Sequence, residues 1–130
     1  MNLKHLIQPV LRIIAAIILL QTLFFKFSAA PESVYIFSKL GVEPWGRILS
    51  GCLELIVAVL LFVRSLRWFA ALLGLGIMAG AILAHLTQLG IVVMNDGGEL
   101  FFLALIVAAA CAAIAWYERK NIPVLKNHFM

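Results

Sequence analysis

The stretch GCLELIVAVLLFVRSLRWFAALLGLGIMAG, Gly51 to Gly80, decides the fold. It holds two apolar runs parted only by a short polar step from Arg64 to Arg67. So brief a connection leaves the flanking helices no arrangement except as antiparallel neighbours. A hydrocarbon core about 30 Å thick asks for roughly 20 apolar residues per helix, and each run approaches that length. Working outward, the same pattern recurs on both sides, giving expected spans at 6–25, 46–63, 68–89 and 100–116. Across all 130 residues, 65% are hydrophobic and 12% charged, and the mean hydropathy is +1.10, values that exclude a soluble globular domain. The expected fold is an all-α membrane protein, a bundle of four transmembrane helices. Residues 1–130 form a single domain, because no connecting segment reaches the roughly 40 residues of the smallest independent domains. The first run is too long and too bulky near its end for a cleaved signal peptide, so it stays attached and spans.

The net charge of +4 suggests nucleic acid at first sight, but the cations sit at helix ends and form no basic stripe, so nucleic acid is excluded as a partner. They report orientation instead. Lys4, Arg64, Arg67, Arg119, Lys120 and Lys126 fall on one side of a four-pass arrangement, against Lys26, Lys39 and Arg47 on the other. The positive-inside rule then places both termini in the cytoplasm. In the first outer loop, Pro31 suits a first helical turn, Glu32 the positive end of a helix dipole, and Gly41 a left-handed close. With Val34, Phe37 and Leu40 at helical spacing, a short amphipathic interfacial helix is expected there. The third connection contains NDGGE, residues 95–99, a turn with acidic charge. Gly76, Gly80 and Ala84 repeat a small-xxx-small spacing expected to pack inside the bundle; a second copy of the chain in a homo-oligomer is the alternative.

Charges deep in a span cost from about 2.5 kcal/mol upward, so each needs a partner, water or an escape to the interface. At about 1.5 Å per residue, Glu54 lies roughly 12 Å below the outer face, His85 roughly 6 Å, and Lys26 almost at it. Side chains tilt toward the N-terminus of their own helix, so Lys26 on an outward-running span leans in while Glu54 on an inward-running span leans out. A Lys26–Glu54 ion pair, direct or through water, is expected. Glu54 shares its stripe with Arg47, Gly51, Ala58 and Leu61; His85 shares one with Gly74, Met78, Ala81 and Gln88. The expected ligand-binding or buried polar cluster is therefore Lys26, Glu54, His85 and Gln88. Gln21 is left out, being about 140° around its helix from Lys26. Arg12 is a buried charge of the inner half, expected to snorkel toward inner headgroups with Glu118 as partner.

No metal site is expected, since His85 has no second histidine at helical spacing, and no nucleophile elbow, phosphate loop or haem-attachment motif occurs. Cys52 and Cys111 differ in depth by roughly 7 Å, which opposes a disulfide; both read as buried small hydrophobes. Catalytic residues cannot be assigned from these patterns.

Arg12 with Lys26 fourteen residues later, then Phe37, Leu40, Gly41 and Pro44 in an FxxLGxxP segment, the pair Leu53–Glu54 and a late His85 together resemble the DoxX-like family of small four-helix bacterial inner-membrane proteins. The chain departs from that pattern at Leu23 and at residues 55–57, where glycines are usual. The resemblance implies an accessory, non-catalytic subunit of a membrane redox complex, with a redox partner protein and the lipid bilayer as partners. It also implies quinone, or a similar lipid-soluble molecule, as ligand in the outer half of the bundle. Two other readings of the same residues stand beside it: a small proton-coupled transporter using Glu54, and a structural protein in which Lys26 and Glu54 set helix register.

Overall fold

A computed structural model describes residues 3–93 and 96–122, with Leu3 and Lys4 described as backbone alone. Lys126 and Asn95 lie outside the described residues. Every regular element is helical among them: α1 Leu3–Phe27, α2 Pro31–Lys39, α3 Trp45–Leu60, α4 Arg67–Ala84, a π-helical turn His85–Leu89, α5 Glu99–Tyr117 and a final 3₁₀ turn Arg119–Asn121. The four longer helices pack in cyclic order, α1 on α3, α3 on α4, α4 on α5 and α5 back on α1, while α2 rests against α1, α3 and the π-helical turn.

Lipid tails are as apolar as leucine, so apolar faces gain little from meeting one another in a bilayer; close packing has to hold the helices together. The core is built accordingly, with Ala15, Ala70, Ala71, Ala110 and Gly74 letting Leu19, Val57, Leu61 and Ile114 interlock. Large side chains face outward instead: Phe24, Leu83, Leu86 and Phe102 are among many exposed apolar residues, an arrangement that suits lipid and not water. Three segments, His5–Phe27, Arg67–Leu89 and Glu99–Tyr117, are long and apolar enough to cross a membrane.

The expected span at 46–63 is shorter than the other three. α3 has 16 residues, about 24 Å of helix, and stops at Leu60. Arg67 accounts for the stop: its Nε donates to the Leu61 carbonyl over 2.8 Å, satisfying an acceptor that a continuing helix would have used. α2 begins with Pro31 and ends in a Schellman arrangement, the Gly41 N–H donating to Ser38 O (3.0 Å) and the Val42 N–H to Phe37 O (2.9 Å). Gly41 takes φ +77°, the conformation that closure requires.

The small-residue motif does something different from packing the bundle. No atom of a neighbouring helix lies within 4 Å of where a Cβ would stand on Gly76 or Gly80. Gly74 makes the tight contact, facing Cys111 on α5 and Val57 on α3, because it lies on the inward stripe that holds Met78. Spacing identifies a small face but not its neighbour. Both cysteines are free; Cys111 is fully buried beside Gly74, whereas Cys52 is exposed, since it follows Gly51 by one residue and so turns about 100° away from the packed face.

Candidate functional site

Glu54 is buried on α3, and its two oxygens are both engaged. Lys26 Nζ donates to Oε1 at 2.9 Å and to Oε2 at 3.0 Å, a forked contact that takes at most two of its three protons. Thr22 was not anticipated in the cluster. Its hydroxyl lies 3.1 Å from Glu54 Oε2 and 2.8 Å from the Leu19 carbonyl, so its single proton serves two acceptors. The signal was present, because Thr22 precedes Lys26 by four residues and therefore shares its helix face. Arg47, also buried, donates through Nη1 to the backbone carbonyl of Lys26 and through Nε to Glu43 at 2.9 and 3.1 Å. Lys26 is thus held at both ends, its carbonyl by Arg47 and its ammonium by Glu54. Among the described residues, one ammonium proton stays without a protein acceptor.

A cavity of about 420 Å³ opens beside this pair, between α1, α4 and α5, with α2 across one side. Ile18, Ile77, Met78, Leu103 and Val107 supply apolar wall; Lys26, Glu54, Thr22 and His85 supply polar groups. That is the composition of a small-molecule site, a few fixed polar groups on an apolar surface, and the volume falls in the usual range of roughly 300–1,000 Å³. α2 contributes Ser33, Ile36 and Phe37 to the lining, so this helix covers the site as well as connecting two spans. Gln21, set aside on rotation alone, also lines the cavity, which extends far enough around α1 to reach it.

His85 begins the π-helical turn. Its Nδ1 lies 3.0 Å from the Gly90 carbonyl, which can only accept, so Nδ1 carries the proton. The remaining nitrogen, Nε2, has no hydrogen-bond partner among the described residues, and the ring leans on Phe101 with centroids 5.6 Å apart. No ion pair or hydrogen bond joins His85 to Lys26 or Glu54; they share the cavity and not a bond. Gln88 does not join them. It is exposed and outside the lining, because a π-helical turn advances less than 100° per residue and swings the third residue away from the His85 stripe. A local widening of the helix leaves no mark in the hydrophobic pattern.

Asp96 closes this region at the end of the bundle that holds the π-helical turn. Gly97 and Gly98 both take positive φ, turning the chain so that Asp96 Oδ1 accepts from Val93 N–H (3.0 Å) and Gly98 N–H (2.8 Å) while Oδ2 accepts from Leu100 N–H (3.2 Å). Burial pushes the carboxyl upward, yet the three backbone donors, with His85 nearby, outweigh it and hold Asp96 below the usual aspartate range. A depressed folded value means that the carboxylate contributes stability above the ordinary aspartate pKa and loses it as pH falls through the folded value. Asp96→Asn is therefore expected to cost about 1 kcal/mol at pH 7. That difference should narrow as pH falls below the ordinary aspartate range and through the folded value, where the wild-type carboxyl takes up its proton as well. Thermal melts of both proteins in a descending pH series from 7 check it; a gap that stays the same throughout would contradict the role given to the charge.

Arg12 lies at the other end of the molecule, half-buried on α1. Glu118, the expected partner, is engaged elsewhere: Arg67 Nη1 reaches its Oε1 at 3.4 Å and Asn121 Nδ2 its Oε2 at 2.6 Å. Arg12 makes no hydrogen bond to it, because the short Arg64–Arg67 connection brings Arg67 to the carboxylate first.

Fold and site together describe a multi-helix membrane protein with a buried ion pair on the wall of an apolar cavity. A family model described as DoxX matches residues 7–87, from early α1 into the π-helical turn, and the chain belongs to the DoxX family. Comparison with curated proteins and with solved structures yields no match.

Proposed function

We propose that this DoxX family protein is an accessory, non-catalytic subunit of a membrane redox complex and binds a quinone, or a similar lipid-soluble molecule, in the cavity beside Lys26 and Glu54. In this reading all four long helices cross a bacterial inner membrane, α3 with the help of the turn after it, both termini are cytoplasmic, and α2 lies at the outer interface. The observation that carries it is the pairing of two unspent polar groups, the third Lys26 proton and His85 Nε2, with an apolar cavity of about 420 Å³. A quinone presents polar oxygens on an apolar ring. Lys26 supplies a donor for a carbonyl, and His85 Nε2, left open by the contact of Nδ1 with Gly90, a partner for the hydroxyl of the reduced form. Glu54 holds the lysine head in place, so the site is preorganised and costs little ordering on binding.

A short-tailed ubiquinone analogue titrated onto the full chain in nanodiscs is expected to quench tryptophan fluorescence saturably. His85→Asn retains a donor near the position of Nδ1 for Gly90 and removes Nε2, so affinity should fall roughly tenfold, about 1.4 kcal/mol, while the melting temperature holds. Absence of saturable binding to the wild type would overturn the proposal.

The forked contact between Lys26 and Glu54 also supports a second reading, in which the pair sets helix register and the cavity holds only lipid tails. Ligand titration separates the two.

A further inference from the structure

The end of the bundle opposite the ion pair holds an open bowl of about 590 Å³ between the start of α1, the start of α4 and the end of α5. Arg12, Arg64, Arg67 and Lys120 line it, with His5 beside them and Glu118 as its one carboxylate among the described residues. Topology alone requires cations on this side, but not their convergence. Those that serve only orientation extend separately into water. Arg12 does not: it sits nine residues into α1, about 13 Å along the helix, and its charged neighbours are Arg67 and Glu118. Glu118 attracts Arg12 but is also engaged by Arg67 and Asn121, so one carboxylate faces two arginines. The Nε of Arg12 is buried without a hydrogen-bond partner among the described residues, an arrangement that costs free energy unless something else accepts from it. α4 begins at Arg67, which adds the positive end of a helix dipole to the same place.

We infer that this bowl is an anion site for a phosphate group, carried either by an anionic lipid headgroup or by a free phosphate, with the half-buried Arg12 on its wall as a donor. Guanidinium groups match phosphate oxygens in geometry, and two arginines from different helices with one spent carboxylate leave a net demand for negative charge. Basic pockets between membrane helices are suited to headgroups of this kind.

The test uses the full chain in two arms. In nanodiscs of phosphatidylcholine with phosphatidylglycerol, native mass spectrometry is expected to show phosphatidylglycerol retained preferentially. In detergent, inorganic phosphate at constant ionic strength is expected to raise the melting temperature relative to chloride. Preferential retention alone identifies a headgroup site, a phosphate effect alone identifies a soluble anion, and either supports the inference. Arg12→Gln should weaken the effective arm tenfold or more, since a charged hydrogen bond is lost, and Arg12→Lys by less. Should Arg12→Gln itself melt below the wild type, Arg64→Gln at an exposed position carries the comparison. Neither arm responding, or both substitutions leaving the response intact, would overturn the site.

Discussion

Glu54→Gln is expected to lower the stability of the protein by about 3 kcal/mol, because it strands a buried ammonium. The lysine and glutamate side chains are 13% and 4% exposed, so water screens the pair little and cannot replace the missing partner. Glutamine keeps one acceptor oxygen for Lys26 or Thr22 but removes the charge. The lysine stem is long enough to carry its head toward the near end of the bundle, which sets the expected loss at the lower end of the range for broken buried pairs. Replacing both partners, Lys26→Met with Glu54→Gln, removes the stranded charge and should restore most of the loss, since an apolar pair of similar volume is often as stable as a buried ion pair. A double-mutant cycle read by thermal unfolding measures this directly. If the double substitution melts no higher than Glu54→Gln alone, the pair does not act as a unit.

Much of this site was legible because it follows from helix geometry alone. A fixed rise per residue sets depth, Cβ tilt sets direction, and those two together bring Lys26 and Glu54 into reach before any tertiary contact is known. The same reasoning extends to Thr22, which shares the Lys26 face, and to Arg47, which shares the Glu54 stripe. It fails wherever the backbone leaves α-helical geometry or a neighbour decides the outcome. Gln88 follows a π-helical widening that residues 85–89 do not announce in their hydrophobic pattern. Glu118 had two arginines to choose between, and only the packing of α4 against α5 settles that Arg67 takes it. α2 was readable as a helix from Pro31 and Gly41, while its position across the cavity depends on contacts with three other elements. The end of α3 lay in the same class, fixed by an arginine six residues beyond the carbonyl it satisfies.

The glycines of α4 offer the sharpest contrast between a position that holds the bundle and one that borders the cavity. A Cβ on Gly74 would stand 2.8 Å from Cys111 Sγ and 3.1 Å from Val57 Cγ1, and both neighbours are fully buried with no space to move into. Gly74→Leu should therefore force α4 away from α3 and α5 and cost 3 kcal/mol or more, above the roughly 1–3 kcal/mol of ordinary overpacking. Gly80 lies on the same helix less than two turns later, lines the cavity and has nothing within 4 Å of its added carbon. Gly80→Leu gains helix propensity of up to about 1 kcal/mol and places an isobutyl group against the cavity. Thermal stability should hold or rise while affinity for a short-tailed quinone falls tenfold or more, a separation that no general loosening of the fold would produce. Binding unaffected by Gly80→Leu would place the ligand outside this cavity. A Gly74→Leu protein as stable as the wild type would mean that α4 and α5 are not in the close contact that buries Cys111.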